Sequence, residues 1–252
     1  MDLGLDGRAY LVTGGTGGLG LATARALVAD GARVVVSSRS QESVDRTVAE
    51  LGSDRAVGVS ADNADPATPA RLIEAARTAY DRLDGALVSA GGPAPGPLLS
   101  STDEDWQAAL QSVFLGGVRL GRELGNALGD GGSVVYVLSS SVKSPISGLA
   151  ISNGLRPGLA MVAKTLADEA GPRGVRFNGL LPGAIDTDRV RELDSATGDA
   201  DAARQRRAAT IPLRRYGRAE EFGAVAAFLL SPASSFVTGA MLPVDGGLLR
   251  AL

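Results

Sequence analysis

The sequence contains neither cysteine nor histidine. These absences exclude a cysteine nucleophile, a disulfide, a histidine general base and the usual zinc sites, so no metal site is expected. Lysine is also scarce, since only Lys143 and Lys164 are present. The chemistry available to this protein is therefore that of hydroxyls, carboxylates, arginines, backbone groups and two ammonium groups.

Long apolar runs and excess positive charge are missing as well. The formal net charge is −3, which disfavours a nucleic-acid partner. No run of about 18 apolar residues is present, and the start MDLGLDGRAY lacks a basic region followed by an apolar one. We therefore expect no membrane partner and a cytoplasmic location. With 252 residues and 44% hydrophobic content, the chain is expected to form one domain over 1–252, although length alone would also allow two.

Short runs rich in β-branched residues alternate with longer segments of helical period. This alternation is typical of βαβ units whose parallel sheet is buried on both faces and doubly wound. The longest helical segments are expected at about 103–128 and 149–170. Strands are predicted near 9–13, 33–38, 55–60, 85–90, 133–139, 175–181 and 240–244.

The polar stretch ELDSATGDADAARQRRAA (192–209) interrupts this alternation after the sixth strand. One interpretation is a mobile substrate lid near 186–210, because loops beside a rigid sheet often carry binding functions. The alternative is a solvated surface helix, which the mixed charges favour equally.

The segment VTGGTGGLG (12–20) leaves the first predicted strand and enters a helix. Glycines at 14, 18 and 20 would let the backbone turn tightly and approach a pyrophosphate, whose charge the amides at the helix N-terminus would meet. A purely structural glycine-rich turn is the alternative, but the strand before and the helix after supply the required context.

The same segment resembles the TGxxxGxG pattern of short-chain dehydrogenases/reductases. Further segments similar to that family follow in the same order over essentially the whole chain: VVVSSR (34–39), ADN (61–63), VSAGG (88–92), LLPGAIDTD (180–188), IPLRRYGRAEEFGAVAAFLLS (211–231) and TGAMLPVDGG (238–247). The resemblance implies a three-layer αβα Rossmann fold with seven parallel strands in the order 3-2-1-4-5-6-7. It also implies a small-molecule substrate and a homo-oligomer, either a tetramer or a dimer.

The second predicted strand ends in Ser38 and Arg39. A guanidinium there can hold a 2′-phosphate and stack on adenine, whereas members that prefer NAD commonly carry an acid, so NADP(H) is expected over NAD(H). The alternative is an arginine that is simply solvated at a strand end. The resemblance implies a cofactor site made of Gly14, Thr16, Gly18, Leu19, Gly20, Ser38, Arg39, Asp62, Asn63, Ala90, Gly91, Pro182, Gly183 and Ile185.

The family's catalytic tyrosine and lysine, spaced YxxxK, have no counterpart here, because none of the four tyrosines is followed by a lysine four residues on. Our alignment of LAISNGLRPG (149–158) places Ile151 at the tyrosine and Leu155 at the lysine. It places Val113 at the asparagine of the family's proton relay. Arg156 would be displaced by about 100° around the helix, so an interface salt bridge suits it better than the lysine's role.

Three polar residues near this segment are the candidate catalytic groups. Ser140, with Ser139 as its neighbour, would be the family serine, and Lys143 could act as a cation or proton donor unless it is a solvated loop lysine. Asn153 could offer its amide to a carbonyl oxygen, or be a satisfied asparagine in the first helical turn. Pro157 frees the carbonyl of Asn153, which predicts a kinked or locally opened helix.

Two functional classes follow. The first is an NADP(H)-dependent oxidoreductase with an atypical active site, which reduces a conjugated enone or a ketone of a small apolar metabolite. Hydride addition to a conjugated double bond needs no strong acid at the lost tyrosine, and some divergent family members of bacterial specialised metabolism work this way. The second class is a non-redox protein: an isomerase, a cyclase, or a cofactor-binding regulatory or structural partner.

Overall fold

Parallel strands and flanking helices alternate along the chain in the computed structural model, which describes residues 2–251. The strands are β1 Ala9–Thr13, β2 Arg33–Ser38, β3 Ala56–Ser60, β4 Gly85–Val88, β5 Ser133–Val137, β6 Arg176–Pro182, β7 Ile185–Asp186, β8 Gly217–Arg218 and β9 Met241–Val244. The α-helices are α1 Gly18–Ala29, α2 Gln41–Leu51, α3 Thr68–Tyr80, α4 Asp103–Ala109, α5 Gly116–Ala127, α6 Ala150–Ala170, α7 Asp188–Ser195, α8 Ala200–Thr210 and α9 Ala219–Leu230.

Seven of these strands form one sheet in the order β3-β2-β1-β4-β5-β6-β9, and every neighbouring pair is parallel. Because β9 is the seventh strand of this sheet, the predicted order is confirmed, as is the three-layer αβα Rossmann fold.

The central strands are buried because the sheet is covered on both faces. All residues of β1 and of β5 are buried. On one face, Leu11 and Phe177 pack in a core with side chains of α3, α5 and α6. On the other, Tyr10 and Val12 pack with side chains of α1 and α9. The alternation of side chains along each strand thus supplies two cores, one on each side of the sheet.

The predicted helix at 103–128 is interrupted. A π-helical segment, Leu110–Leu115, separates α4 from α5. Within it, the Ser112 hydroxyl donates to the carbonyl of Ala108 at 2.9 Å, so a side chain competes with the backbone ladder where the helix widens. The other long segment is one helix, α6, which continues through Pro157.

The segment after β6 contains elements that the periodicity did not predict. The two-residue strands β7 and β8 pair in parallel and form a second, small sheet. Helices α7 and α8 occupy much of 192–209, and Asp194, only 3% exposed, anchors them to the chain before β8. Its carboxylate accepts hydrogen bonds from the Tyr216 hydroxyl at 3.2 and 3.0 Å and lies 3.3 Å from the Arg207 guanidinium. The segment is therefore packed against its surroundings, and its role as a lid stays a prediction.

No helix within residues 2–251 has both the length and the apolar character needed to cross a bilayer.

Candidate active site

The glycine-rich loop between β1 and α1 has the conformation that its sequence demands. Gly14 and Gly18 adopt positive φ angles of 59° and 48°, which other residues rarely tolerate. A Cβ on Gly20 would collide with the Gly14 carbonyl, so the start of α1 can pack against the loop only with glycine there. The Thr13 hydroxyl donates to the Ser89 carbonyl at 2.7 Å and accepts from the Ser89 amide at 2.8 Å, which fixes the end of β1 to the end of β4.

A first cavity, called here the β2 cavity, opens beside the carboxyl end of β2. It brings together seven predicted cofactor residues: Gly14, Ser38, Arg39, Asp62, Asn63, Ala90 and Gly91. Asn63 is held by a hydrogen bond from its side-chain amide to the Ser89 carbonyl at 3.1 Å. Arg39 is exposed and forms no ion pair with any residue between 2 and 251. Its guanidinium is therefore free to receive an anion.

A second cavity of about 390 Å³, called the β6 cavity, continues from the first, because Ser89 and Ala90 line both. The two together lie at the carboxyl ends of the strands, where doubly wound sheets bind their ligands. Of the predicted cofactor residues, Thr16 lines neither cavity. The β6 cavity collects Gly18, Leu19, Gly20, Pro182, Gly183 and Ile185.

The predicted placement of Ile151 and Leu155 at the catalytic positions is wrong. Both side chains are buried in a small cluster with Ala109, Trp106 and Phe114, on the side of α6 that faces α4 and the π-helical segment. Neither lines the β6 cavity. A shift of one residue rotates a side chain by about 100° around a helix, and the apolar contacts decide which face turns inward.

Arg156, one residue further along α6, lines the β6 cavity instead. It is 5% exposed and donates from Nη1 to the carbonyl of Val137 at the end of β5. Desolvation by burial lowers the pKa of its guanidinium from 12.5 to about 10, so it remains a cation at neutral pH. An interface salt bridge, the role expected for it, is contradicted by this burial.

Ser152 precedes Arg156 by four residues, which is the spacing of the family's tyrosine and lysine. It is 7% exposed, and its hydroxyl lies 3.5 Å from that of Ser141. Sequence reasoning missed this pair. The signal in the sequence is the apolar pair Ile151 and Leu155, whose packing against α4 leaves Arg156, about 100° further around α6, to face the cavity.

The three predicted catalytic residues lie on the loop after β5 and at the start of α6, outside the lining of the β6 cavity. Ser140 is buried at 6% exposure, whereas Lys143 is exposed. Asn153 accepts a hydrogen bond from the amide of Ile146 at 3.0 Å and donates to the carbonyl of Ile146 at 2.8 Å. This clamp fits the alternative of a satisfied first-turn asparagine that fixes the loop. The catalytic roles of all three stay predictions.

Comparison with known proteins identifies the family. Residues 14–249 match the family model described as enoyl-(acyl carrier protein) reductase. The chain is 35% identical over 246 residues to an uncharacterized oxidoreductase of Mycobacterium tuberculosis (strain ATCC 25618 / H37Rv), covering 95% of this chain and 90% of that protein. It is 31% identical over 251 residues to the D-threitol dehydrogenase of Mycolicibacterium smegmatis, covering 98% and 94%.

Among solved structures, the L-sorbose reductase of Gluconobacter frateurii, complexed with NADPH and L-sorbose, superposes with a TM-score of 0.94 at 27% identity over 100% of both chains. The relatives match at nearly full length, and the family model covers both cavities and the strands between them. The chain therefore belongs to the short-chain dehydrogenase/reductase family of oxidoreductases.

Proposed function

We propose that this protein is an NADP(H)-dependent oxidoreductase that reduces a conjugated enone or a ketone of a small metabolite with an atypical active site. The observation that carries the proposal is the pair of joined cavities at the carboxyl ends of the strands. A glycine-rich turn borders them, and Arg39, which has no ion-pair partner among residues 2–251, lies at one end. The NADPH complex of the sorbose reductase supports a nicotinamide cofactor for this chain as well.

The residues present fit such a cofactor. Gly14, Gly18 and Gly20 would admit its pyrophosphate to the N-terminus of α1, where backbone amides and the helix dipole favour an anion. Arg39 would receive the 2′-phosphate in a charge-assisted pair, and the end of β2 offers Ser38 rather than an acid that would repel it. When bound, the cofactor would supply the hydride.

The protein's own side chains would manage the negative charge that develops on the substrate oxygen. Arg156 supplies a fixed cation on the wall of the β6 cavity. Ser140 and Lys143 lie on the loop after β5 and would reach the substrate oxygen if that loop closes over it, as hydrogen-bond donor and as cation. The lid proposed at 186–210 would complete the enclosure and exclude water.

The substitution Arg39→Ala tests the cofactor assignment. A charge-assisted hydrogen bond contributes about 1.5–3 kcal/mol, so the variant should lose about 10- to 100-fold in NADPH affinity and almost nothing in NADH affinity. Both dissociation constants can be measured by nicotinamide fluorescence. Arg46→Ala, an exposed arginine on the adjoining α2, is the matched control and should bind both cofactors like the unmodified protein. Equal affinities for NADPH and NADH in the unmodified protein would contradict the assignment.

A further inference from the structure

One charged side chain in the lining of the β6 cavity is buried and has no counterion. The lining includes Arg156, Asp188 and Arg189. The Asp188 side chain is 86% exposed and pairs with Arg191 at 3.0 Å. The Arg189 side chain is 37% exposed and lies 3.7 Å from the carboxylate of Glu192. Solvent and opposite charge therefore screen both of these residues, whereas Arg156 has neither.

Arg156 keeps its charge inside the cavity wall. It is buried, and it forms no ion pair with any residue between 2 and 251. Its hydrogen bond to the carbonyl of Val137 is to a neutral partner. Burial lowers the pKa of the guanidinium to about 10, so it is still protonated at neutral pH. Its field is weakly screened and acts on any group that enters the cavity.

The cavity that Arg156 lines is the half of the site that would hold the nicotinamide nucleoside. Arg39 lines the β2 cavity, where it would receive the 2′-phosphate, so the adenosine half belongs there. Gly18, at the N-terminus of α1, lines the β6 cavity and would adjoin the pyrophosphate. The other nucleoside would then extend along the remaining wall of the β6 cavity, which Arg156 shares with Leu138 and Pro182.

A fixed cation in this wall acts differently on the two redox forms of the cofactor. The nicotinamide ring of NADP⁺ carries a positive charge, whereas the ring of NADPH is neutral. Arg156 would therefore repel the oxidised ring and leave the reduced ring almost unaffected, because a Coulomb interaction needs charge on both partners. Two like charges about 10 Å apart, at an effective dielectric constant of about 20, correspond to a loss of about tenfold or more in affinity.

We propose, resting on the oxidoreductase function above, that Arg156 makes the site selective for the reduced cofactor by repelling the cationic nicotinamide ring of NADP⁺. The site then takes up NADPH from a mixture of both forms and releases NADP⁺ readily. This selectivity is separate from the choice between NADPH and NADH, which depends on Arg39 in the β2 cavity. A hydrogen bond from Arg156 to an uncharged part of the cofactor would strengthen the binding of both forms equally and could not produce it.

Three ligands measure the repulsion in the unmodified protein: NADPH, NADP⁺ and 2′-phospho-ADP-ribose, which lacks only the nicotinamide ring. We expect NADPH to bind about tenfold or more tightly than NADP⁺. NADP⁺ should bind no more tightly than 2′-phospho-ADP-ribose, because the repulsion offsets the contacts that its ring makes. The dissociation constants are measured by calorimetry without substrate, so the result does not depend on turnover.

Variants at position 156 assign the effect to charge. Arg156→Gln removes the charge but keeps an amide that can donate to the Val137 carbonyl, and it should reduce the preference for NADPH by about tenfold. Arg156→Lys keeps the charge and should keep the preference. Arg189→Gln should have a smaller effect than Arg156→Gln, because the charge of Arg189 is partly exposed and lies near Glu192. The exposed control Arg46→Gln should change neither affinity. If Arg156→Gln does not fold, judged by circular dichroism, the three ligands and the unmodified protein decide the question.

The outcomes distinguish this inference from the proposed function. Equal affinity of the unmodified protein for NADPH and NADP⁺ overturns the inference and leaves the oxidoreductase function standing. An Arg156→Gln variant that binds both forms more weakly but keeps the preference also overturns it, because Arg156 would then act as a hydrogen-bond donor and not through its charge. A protein that binds neither form contradicts the oxidoreductase function itself, and the inference with it.

Discussion

Replacing Ile151 by Tyr and Leu155 by Lys recreates the YxxxK spacing on the packed face of α6, and we expect this double variant to be strongly destabilised. Ile151 is 3% exposed and Leu155 9%. A larger ring at the first position overpacks the cluster with Trp106 and Phe114, at about 1–3 kcal/mol. At the second position, losing the packing of the leucine side chain destabilises the fold by about 2–5 kcal/mol, to which the cost of burying the added charge must be added.

The two positions touch the same cluster, so their effects will not simply add, and a combined loss of about 3–6 kcal/mol is expected. That is a large share of the roughly 5–15 kcal/mol that stabilises a typical protein. It corresponds to a fall in Tm of at least about 6 °C at 2–4 °C per kcal/mol. Urea unfolding followed by circular dichroism measures it.

The substitutions Met161→Tyr and Thr165→Lys place the same side chains at the same spacing on the exposed face of α6. This control should stay within about 0.5 kcal/mol of the unmodified protein. If the Ile151/Leu155 variant proves as stable as the control, the orientation of α6 described above is refuted.

Further expectations concern the loop after β5, acid stability and assembly. Ser140→Ala and Lys143→Ala should each lower turnover by about 10- to 1000-fold, with NADPH affinity nearly unchanged. If Lys143→Ala keeps the kinetics of the unmodified protein, Lys143 is only a solvated lysine. If both variants keep those kinetics, the non-redox alternative is favoured. The side-chain hydrogen bonds from Arg215, joined by the Arg218 amide, lower the pKa of Glu221 from 4.5 to about 2. Its stabilising contribution is therefore complete above pH 4.5 and lost as the pH falls through about 2. Unfolding midpoints measured over that range should fall less steeply for Glu221→Gln than for the unmodified protein; parallel curves would contradict this. We also propose that the protein is a dimer or tetramer, so sedimentation at micromolar concentration that shows only a 25.5 kDa species would contradict that assembly.

The sheet could be predicted from sequence because its signals are local. Each of the seven strands is a short, largely apolar run that contrasts with the helical period of the segments around it. The glycine-rich loop at 12–20 identifies the first crossover. The β7–β8 pair could not be predicted, because two residues per strand have no period and the pairing depends on how the chain returns after α8. The interruption between α4 and α5 was missed for a related reason, since the apolar spacing at 103–128 continues across the π-helical segment.

The two arginines of the candidate site differ in how far their positions could be predicted from the sequence. The place of Arg39 in the β2 cavity could be predicted because it directly follows β2, and the carboxyl ends of parallel strands lie at the ligand-binding edge of such a sheet. Arg156 could not be assigned from spacing alone, because Ile151 with Leu155 and Ser152 with Arg156 are both separated by four residues. Tertiary packing against Trp106 and Phe114 selects between these two faces.

The position of Arg156 also limits the chemistry that this site can perform. Burial lowers the pKa of the guanidinium to about 10, which still keeps it protonated at neutral pH, so it can stabilise an oxyanion. Ser152, four residues before Arg156, lines neither cavity and has no acidic phenol to offer. A ketone reduced here would need another acid to protonate its alkoxide, and Lys143 is the nearest candidate in sequence. An enone would need no such acid, because the cation would hold its enolate and water would supply the proton. The sequence contains no YxxxK motif, and we infer that a cation without that motif's phenol favours conjugate reduction over carbonyl reduction. Faster turnover of a saturated ketone than of the matched enone would contradict that order.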